Sequence, residues 1–332
     1  LFINITDGGS SSMEIMMLGV CGPSSKKPIM LLDPSYTNYL QFSKRLNIPV
    51  LSTERRLRDD GSFAPLNFKK ISEVIENHKP AAIIIIPYDN PTGQFLNQKT
   101  INKIAEICIN NGVWLVSDEA YRPMVFTKEN PSSIWKIPSK IIPEGFHFRI
   151  SIESASKVWN ACGLRIGGIV TDNNEFHSKA VSEYTANLCA NNIGQYIFGA
   201  LANESIDEIK KWYNQQNSYY MHLFKALKDD LKNELPGVIV SEPEASIYCI
   251  IDFKNISNQK FDSNEFVNYC AENGSVKINQ DLFTVLLAPM KGFYKEHDIG
   301  KTQVRIALVE SPSLLKITPS IISSLFKDFS RL

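Results

Sequence analysis

At 332 residues the chain is long enough for two domains, and 43% hydrophobic residues can fill at least one large core. Thirty-five Lys and Arg against 35 Asp and Glu give a formal net charge of zero, so no excess positive field exists to hold a nucleic-acid backbone or an anionic membrane surface. The longest candidate for a spanning segment, AAIIIIP at 81–87, falls well short of the ~20 apolar residues a bilayer requires, and suits a buried strand.

The first β-type run, LFINI at 1–5, leads into TDGGSSSM, whose glycines and serines open a helix. Such a turn frees backbone N–H groups to hold a phosphate at a helix N-terminus, and is also common as a plain turn with an N-cap. PIMLL at 28–32 is followed by DPSYTNY, where a Pro-Ser turn presents Tyr36, a ring suited either to stack on a planar ligand or to pack a helix start. After IPVLS at 48–52 comes AAIIII at 81–86, then PYDNPTG, which sets Asn90 before a Pro-Thr-Gly turn. Ile101, Ile104, Ala105 and Cys108 recur at helical spacing over 97–110. VWLVS at 113–117 ends on DEAY. Asp118 there needs a positive or N–H partner if buried, Glu119 reads as a solvated or helix-N-terminal charge, and Tyr121 projects to the same side as Asp118 on a helical turn.

FHFRIS at 146–151 runs into SASK, and Lys157 among small side chains is placed to be a desolvated, nucleophilic amine, although surface lysines are far commoner. Arg165 precedes the strand-like IGGIVT, where a guanidinium suits a bidentate phosphate contact and the glycines permit close approach of a backbone or ligand. A largely helical stretch covers 173–233. Past ELPG at 234–237 the pattern changes to strands at 238–241, 246–252 and 302–308 with helices at 262–272 and 312–330, and GSVKINQDL reads as a polar loop. Arg305 lies in an otherwise apolar strand and is costly there unless it binds a carboxylate of the protein or of a ligand.

Strands alternating with helices predict an α/β fold with a mainly parallel sheet covered by helices on both faces, and the later pattern a smaller α+β unit. The expected division is a large domain over 1–205 and, over 206–332, an interdomain helix with the small C-terminal domain. In such sheets ligands sit beyond the C-terminal ends of the strands, where the residues named above fall. A lysine amine, an aspartate for a ring nitrogen, an asparagine and a tyrosine for a ring oxygen, a phosphate cradle and an arginine together match what pyridoxal 5′-phosphate requires.

Carried by TDGGSSSM, DPSY, NPTG, SDEAY, SASK with Arg165 eight residues after Lys157, and VRIA, in that order, the chain resembles the class I, aspartate aminotransferase-like, fold-type I pyridoxal-phosphate enzymes. The resemblance implies that Lys157 links to the cofactor aldehyde and then shuttles a proton, that Asp118 pairs with the pyridinium nitrogen, and that Asn90 and Tyr121 hydrogen-bond the ring's phenolic oxygen. It implies that Tyr36 stacks on the ring, that Gly9, Ser10, Ser154, Ser156 and Arg165 bind the phosphate, and that Arg305 grips the substrate α-carboxylate. Transamination would be ping-pong, in a homodimer with active sites at the subunit interface.

The stretches 52–66 and 288–310 look most like bacterial enzymes called aspartate aminotransferases, which points to aspartate with 2-oxoglutarate as acceptor. Lys291 is a candidate distal cation or a solvated loop charge. Family members carry a segment ahead of the phosphate-binding helix, so the large domain is expected to be incomplete on its N-terminal side. Rival readings are a β-lyase or decarboxylase on the same scaffold, and a cofactor-binding module of little activity. The six cysteines lie far apart, without CxxC pairs or metal-ligand spacing, and read as reduced, mostly core thiols of a cytoplasmic protein.

Overall fold

A computed structural model describes residues 1–332. In chain order, β1 (Phe2–Thr6) leads into α1 (Gly9–Val20), β2 (Ile29–Asp33) into α2 (Thr37–Arg45), β3 (Val50–Glu54) into α3 (Phe68–His78) and β4 (Ala82–Ile85) into α4 (Gln98–Asn111), before β5 (Trp114–Asp118), β6 (Arg149–Ser154) and β7 (Gly167–Thr171). These seven strands form one sheet in the order β1-β7-β6-β5-β4-β2-β3. Strands β2 to β6 pair in parallel, whereas β7 runs antiparallel to both β6 and β1.

Strand alternation sorts the apolar side chains onto two faces. Leu31, Ile84, Val116 and Ile152 pack against Met13, Met16 and Met17 of α1 and Tyr39 of α2. Their neighbours Leu32, Ile83, Ile85 and Leu115 meet Ile71 and Ile75 of α3 and Ile101, Ile104 and Cys108 of α4. Helix α4 starts where the Asn97 side chain accepts from Thr100 N–H and ends at Gly112, whose φ of 63° suits a residue without Cβ. Helix α1 lacks such a start: its N-cap, Gly8, offers no side-chain acceptor, and no acidic residue occupies the first turn.

Next come α5 (Asn174–Thr185), α6 (Asn192–Gly199) and α7 (Ile206–Glu234), the last opened by a Ser205–Glu208 capping box. Then follow β8 (Ile239–Val240), β9 (Tyr248–Asp252), α8 (Ser263–Glu272), β10 (Val276–Ile278), β11 (Asp281–Phe283), β12 (Ala288–Pro289), β13 (Gln303–Ala307) and α9 (Pro312–Phe329). The second sheet has four strands ordered β12-β13-β9-β8, all antiparallel, and buries Ile251 and Val304 against Phe224, Leu231, Phe266 and Phe326 of the helices.

Two expectations need correction. The supposed polar loop at 274–282 contains most of a β-hairpin, β10 against β11, turning at Asn279 with φ 57°. Only Cys108, Cys249 and Cys270 are core thiols; Cys21 is half-buried, Cys162 and Cys189 are exposed, and all six are free. No helix is long and apolar enough to cross a membrane.

Candidate active site

The parallel strands end at one edge of the sheet, and the exits of four of the five contribute side chains there. Tyr36 follows β2, Asn90 follows β4, Asp118 closes β5 with Tyr121 just beyond, and Ser154 closes β6 with Ser156 and Lys157 in the next turn. Because β7 runs the other way, its start rather than its end reaches this edge, which brings Arg165 there. Strand β1 reverses again and hands the chain to α1, with Gly9 and Ser10 at the helix start. These ten residues line one cavity of about 200 Å³, together with Met13, Ile86, Ala120, Ile152, Cys162 and Tyr248.

At one end of the cavity the uncapped N-terminus of α1 meets Arg165. The guanidinium donates from Nη1 to the Cys162 carbonyl at 2.9 Å and from Nη2 to the Asp7 carbonyl at 3.2 Å, and no carboxylate pairs with it. A Cβ on Gly8, where φ is 79°, would fall 2.4 Å from Arg165 Nη2; one on Gly167 would fall 2.5 Å from the Gly8 carbonyl carbon. The glycines therefore let the helix start press against β7 beside the guanidinium. Free N–H groups, the helix dipole and an unpaired guanidinium make a receptor for a dianion. Gly167→Ala is expected to push α1 away, destabilising the fold by ~1–3 kcal/mol as overpacking does. Thermal midpoint and affinity for a phosphate-bearing ligand should fall together; unchanged affinity would mean that the start of α1 does not help to bind one.

Deeper in, Asp118 is 6% exposed and accepts from Tyr39 Oη at 2.9 Å and from Ala120 N–H at 3.2 Å. Burial pushes its pKa up to about 6, Tyr39 and Ala120 pull it down, and Glu119 and Asp89 push it up; no cation acts on it. A buried carboxylate with hydrogen bonds but no positive partner suits a protonated ring nitrogen. Tyr39 escaped the sequence reading. It is fully buried, and burial followed by the Asp118 charge raises its phenol well above the usual range. Its only sequence signal is a position three residues beyond Tyr36, whose ring it meets edge-on at 6.4 Å.

Arg305 is not among the cavity-lining residues and stands behind two of them. Its Nη1 donates to Asn90 Oδ1 at 2.7 Å, and its guanidinium lies 4.4 Å from the Tyr248 ring centre and 5.0 Å from that of Phe293. Because a guanidinium only donates, the amide oxygen of Asn90 faces Arg305, leaving Nδ2 as a free donor. The carboxylate expected for Arg305 is not supplied by this chain: aromatic faces cushion the charge, and its buried Nε has no partner. The Tyr121 hydroxyl lies 2.6 Å from that of Tyr248, another residue the sequence did not single out.

Two assignments fail. Glu119 is not solvated: strand alternation turns it away from Asp118, and at 1% exposure it accepts from Ser117 Oγ and Ile134 N–H, both at 3.0 Å, with Arg122 Nε at 3.3 Å. Lys291 is neither a cavity cation nor a free loop charge, since it pairs with Asp262 at 2.7 Å.

Residues 5–308 match the model of the family described as aminotransferase class I and II. The chain belongs to this family. It is similar to the aspartate aminotransferase of Sulfolobus acidocaldarius, 24% identical over 323 residues, covering 94% of this chain and 72% of that protein. It is also similar to the aspartate aminotransferase of Pyrococcus horikoshii, 26% identical over 263 residues, covering 75% of this chain and 60% of that one. Among solved structures, N-succinyldiaminopimelate aminotransferase from Mycobacterium tuberculosis superposes with a TM-score of 0.80 at 20% identity, over 98% of this chain and 77% of the other. Cystalysin from Treponema denticola, whose structure contains pyridoxal 5′-phosphate, gives 0.82 at 17% identity, over 99% and 77%. The family makes the chain a pyridoxal-phosphate-dependent aminotransferase, and the dianion receptor, the uncompensated Asp118 and the half-buried Lys157 fit that cofactor.

Proposed function

We propose that the aminotransferase moves the amino group of an L-amino acid, aspartate on the best reading, to a 2-oxo acid, 2-oxoglutarate, in a ping-pong cycle with Lys157 as the central amine. When bound, pyridoxal phosphate supplies an aldehyde that condenses with amines and a ring that accepts electrons. The protein's share is binding, orientation and proton handling. Gly9, Ser10, Ser154, Ser156 and Arg165 hold the phosphate, and Tyr36 stacks on the ring. Asp118 keeps the ring nitrogen protonated, while Asn90 Nδ2 and Tyr121 Oη donate to the phenolic oxygen. Lys157 Nζ would face the aldehyde carbon and, as a free amine, would take up and return a proton beside it.

Arg305 carries the substrate reading. It is an arginine next to the cavity, fixed by Asn90 at 2.7 Å and lacking any carboxylate partner, and a substrate α-carboxylate supplies one. The relatives named aspartate aminotransferase support a dicarboxylic donor. With Lys291 committed to Asp262, the distal carboxylate falls to a second copy of the chain. A dimer is supported by the apolar patch of Leu188, Ile193, Tyr196 and Ile197, 85%, 74%, 87% and 51% exposed, close to the phosphate site through the bond from Asn191 Nδ2 to the Leu164 carbonyl at 3.2 Å. We further take residues 1–205 and 206–332 as the two domains.

The test is an absorbance spectrum of the cofactor-loaded protein. A band near ~420 nm, usual for a lysine-bound cofactor of this kind, should fade with L-aspartate and return with 2-oxoglutarate. A response to another amino acid alone would discard aspartate. Turnover without an oxo acid would favour a lyase.

A further inference from the structure

Tyr248 opens β9 in the small sheet, and no motif marks it. Its side chain lines the cavity between the two groups that matter most for substrate and cofactor. The ring carries the Arg305 guanidinium 4.4 Å from its centre, and the hydroxyl lies 2.6 Å from Tyr121 Oη. The two tyrosines are each 5% exposed and meet edge-to-face, with centres 5.7 Å apart at 75°. The backbone of Tyr248 is pinned by pairing with Ala307 of β13.

We propose that Tyr248 is a positioning residue that donates its phenolic proton to Tyr121 and so strengthens the hydrogen bond Tyr121 makes to the cofactor's phenolic oxygen; this rests on the role of Tyr121 given above. One proton lies between the two phenols. If Tyr121 supplied it, Tyr121 would have none left for the ring oxygen, whereas Tyr248 has no other partner for its proton within the chain. Burial holds Tyr121 in its protonated, donating form. Between two side chains as buried as these, a donor that itself accepts a hydrogen bond is polarised and donates more strongly. Stabilising the ring's phenolate in this way lowers the pH at which the lysine-bound chromophore loses its proton. Tyr248 therefore tunes that pH from the small sheet, whose strands also carry Arg305.

Tyr248→Phe removes the hydroxyl and keeps the ring beneath Arg305. The readout is the visible absorbance of the cofactor-loaded protein titrated with pH, without substrate. The midpoint should rise by about half to one pH unit, the size of one net hydrogen bond. In a Tyr121→Phe background the same substitution should leave the midpoint unmoved, because the effect passes through Tyr121. An unmoved midpoint in the Tyr121 background of the parent, even with a lower thermal midpoint, would make Tyr248 merely structural and overturn the proposal. A fall would mean that Tyr121 is the donor, and equal shifts in both backgrounds would mean direct action on the cofactor; either overturns it. A parent protein with no visible band overturns the Lys157 reading and this one with it, whereas a normal parent band with an unshifted variant overturns this one alone.

Discussion

Lys157→Ala should lower kcat for transamination by ~10²–10⁴-fold, the range a positioned acid–base group contributes, and abolish the visible band. The fold should tolerate the change. Lys157 sits in the turn after β6, half-buried, and belongs to none of the apolar clusters that hold the sheets and helices together. Its thermal midpoint should therefore stay within a few degrees of the parent's, as surface-type substitutions usually do. Phosphate binding should also persist, because Arg165 and the start of α1 are held by Cys162, Asp7 and the glycine contacts rather than by Lys157. The measurements are a coupled assay for oxo-acid formation, the spectrum and a thermal melt on the same samples. Activity within tenfold of the parent would sink the assignment of Lys157, while a collapse of the melt would show that the loss of activity says nothing about chemistry.

Much of this was legible because a parallel sheet writes its site in one dimension: whatever follows each apolar run lands at the same edge. Tyr36, Asn90, Asp118 and Lys157 could be taken in order for that reason. The direction of a strand leaves no comparable mark. Nothing in RIGGIVT says that β7 runs against β6, yet that reversal brings Arg165 to the site. Tyr39 and Tyr248 were missed because their partners, Asp118 and Tyr121, are chosen by tertiary packing across helix and sheet. Glu119 was readable in principle. The ladder runs one residue past β5, with Glu119 N–H on the Ile152 carbonyl, and adjacent residues there point to opposite faces, so a cavity-facing Asp118 implied a Glu119 turned into the structure behind it. Lys291 was not, because Asp262 lies 29 residues away on another element.

Asp118→Asn should separate stability from function. In the cofactor-free protein the carboxylate is buried without a cation, and its folded pKa of about 6 stands above the ~3.9 of an unfolded chain. The folded state then holds the proton more tightly. At low pH both states are protonated and nothing is lost; as pH rises through the window from about 4 to about 6 the unfolded state ionises first, and stability falls until the folded group has also ionised. Above that window the penalty is ~3 kcal/mol, since each pKa unit is worth about 1.4 kcal/mol. Asparagine has nearly the same shape and no charge. The cofactor-free variant should accordingly be the more stable protein at pH 8 and lose the advantage at pH 4, as urea unfolding at the two pH values would show. The parent-minus-variant difference isolates Asp118 from Asp89, Glu119 and Glu153, whose pKa values burial also raises. With cofactor the proposed role of Asp118 has the order reverse, because a protonated ring nitrogen would give the carboxylate the cation it lacks and draw its pKa back down. The variant should bind cofactor less tightly and lose ~10²–10³ in kcat, the usual cost of removing one fixed electrostatic partner of a developing charge. An Asn variant that is less stable than the parent at pH 8 without cofactor would overturn the burial argument, and one with parental kcat would take Asp118 out of the reaction.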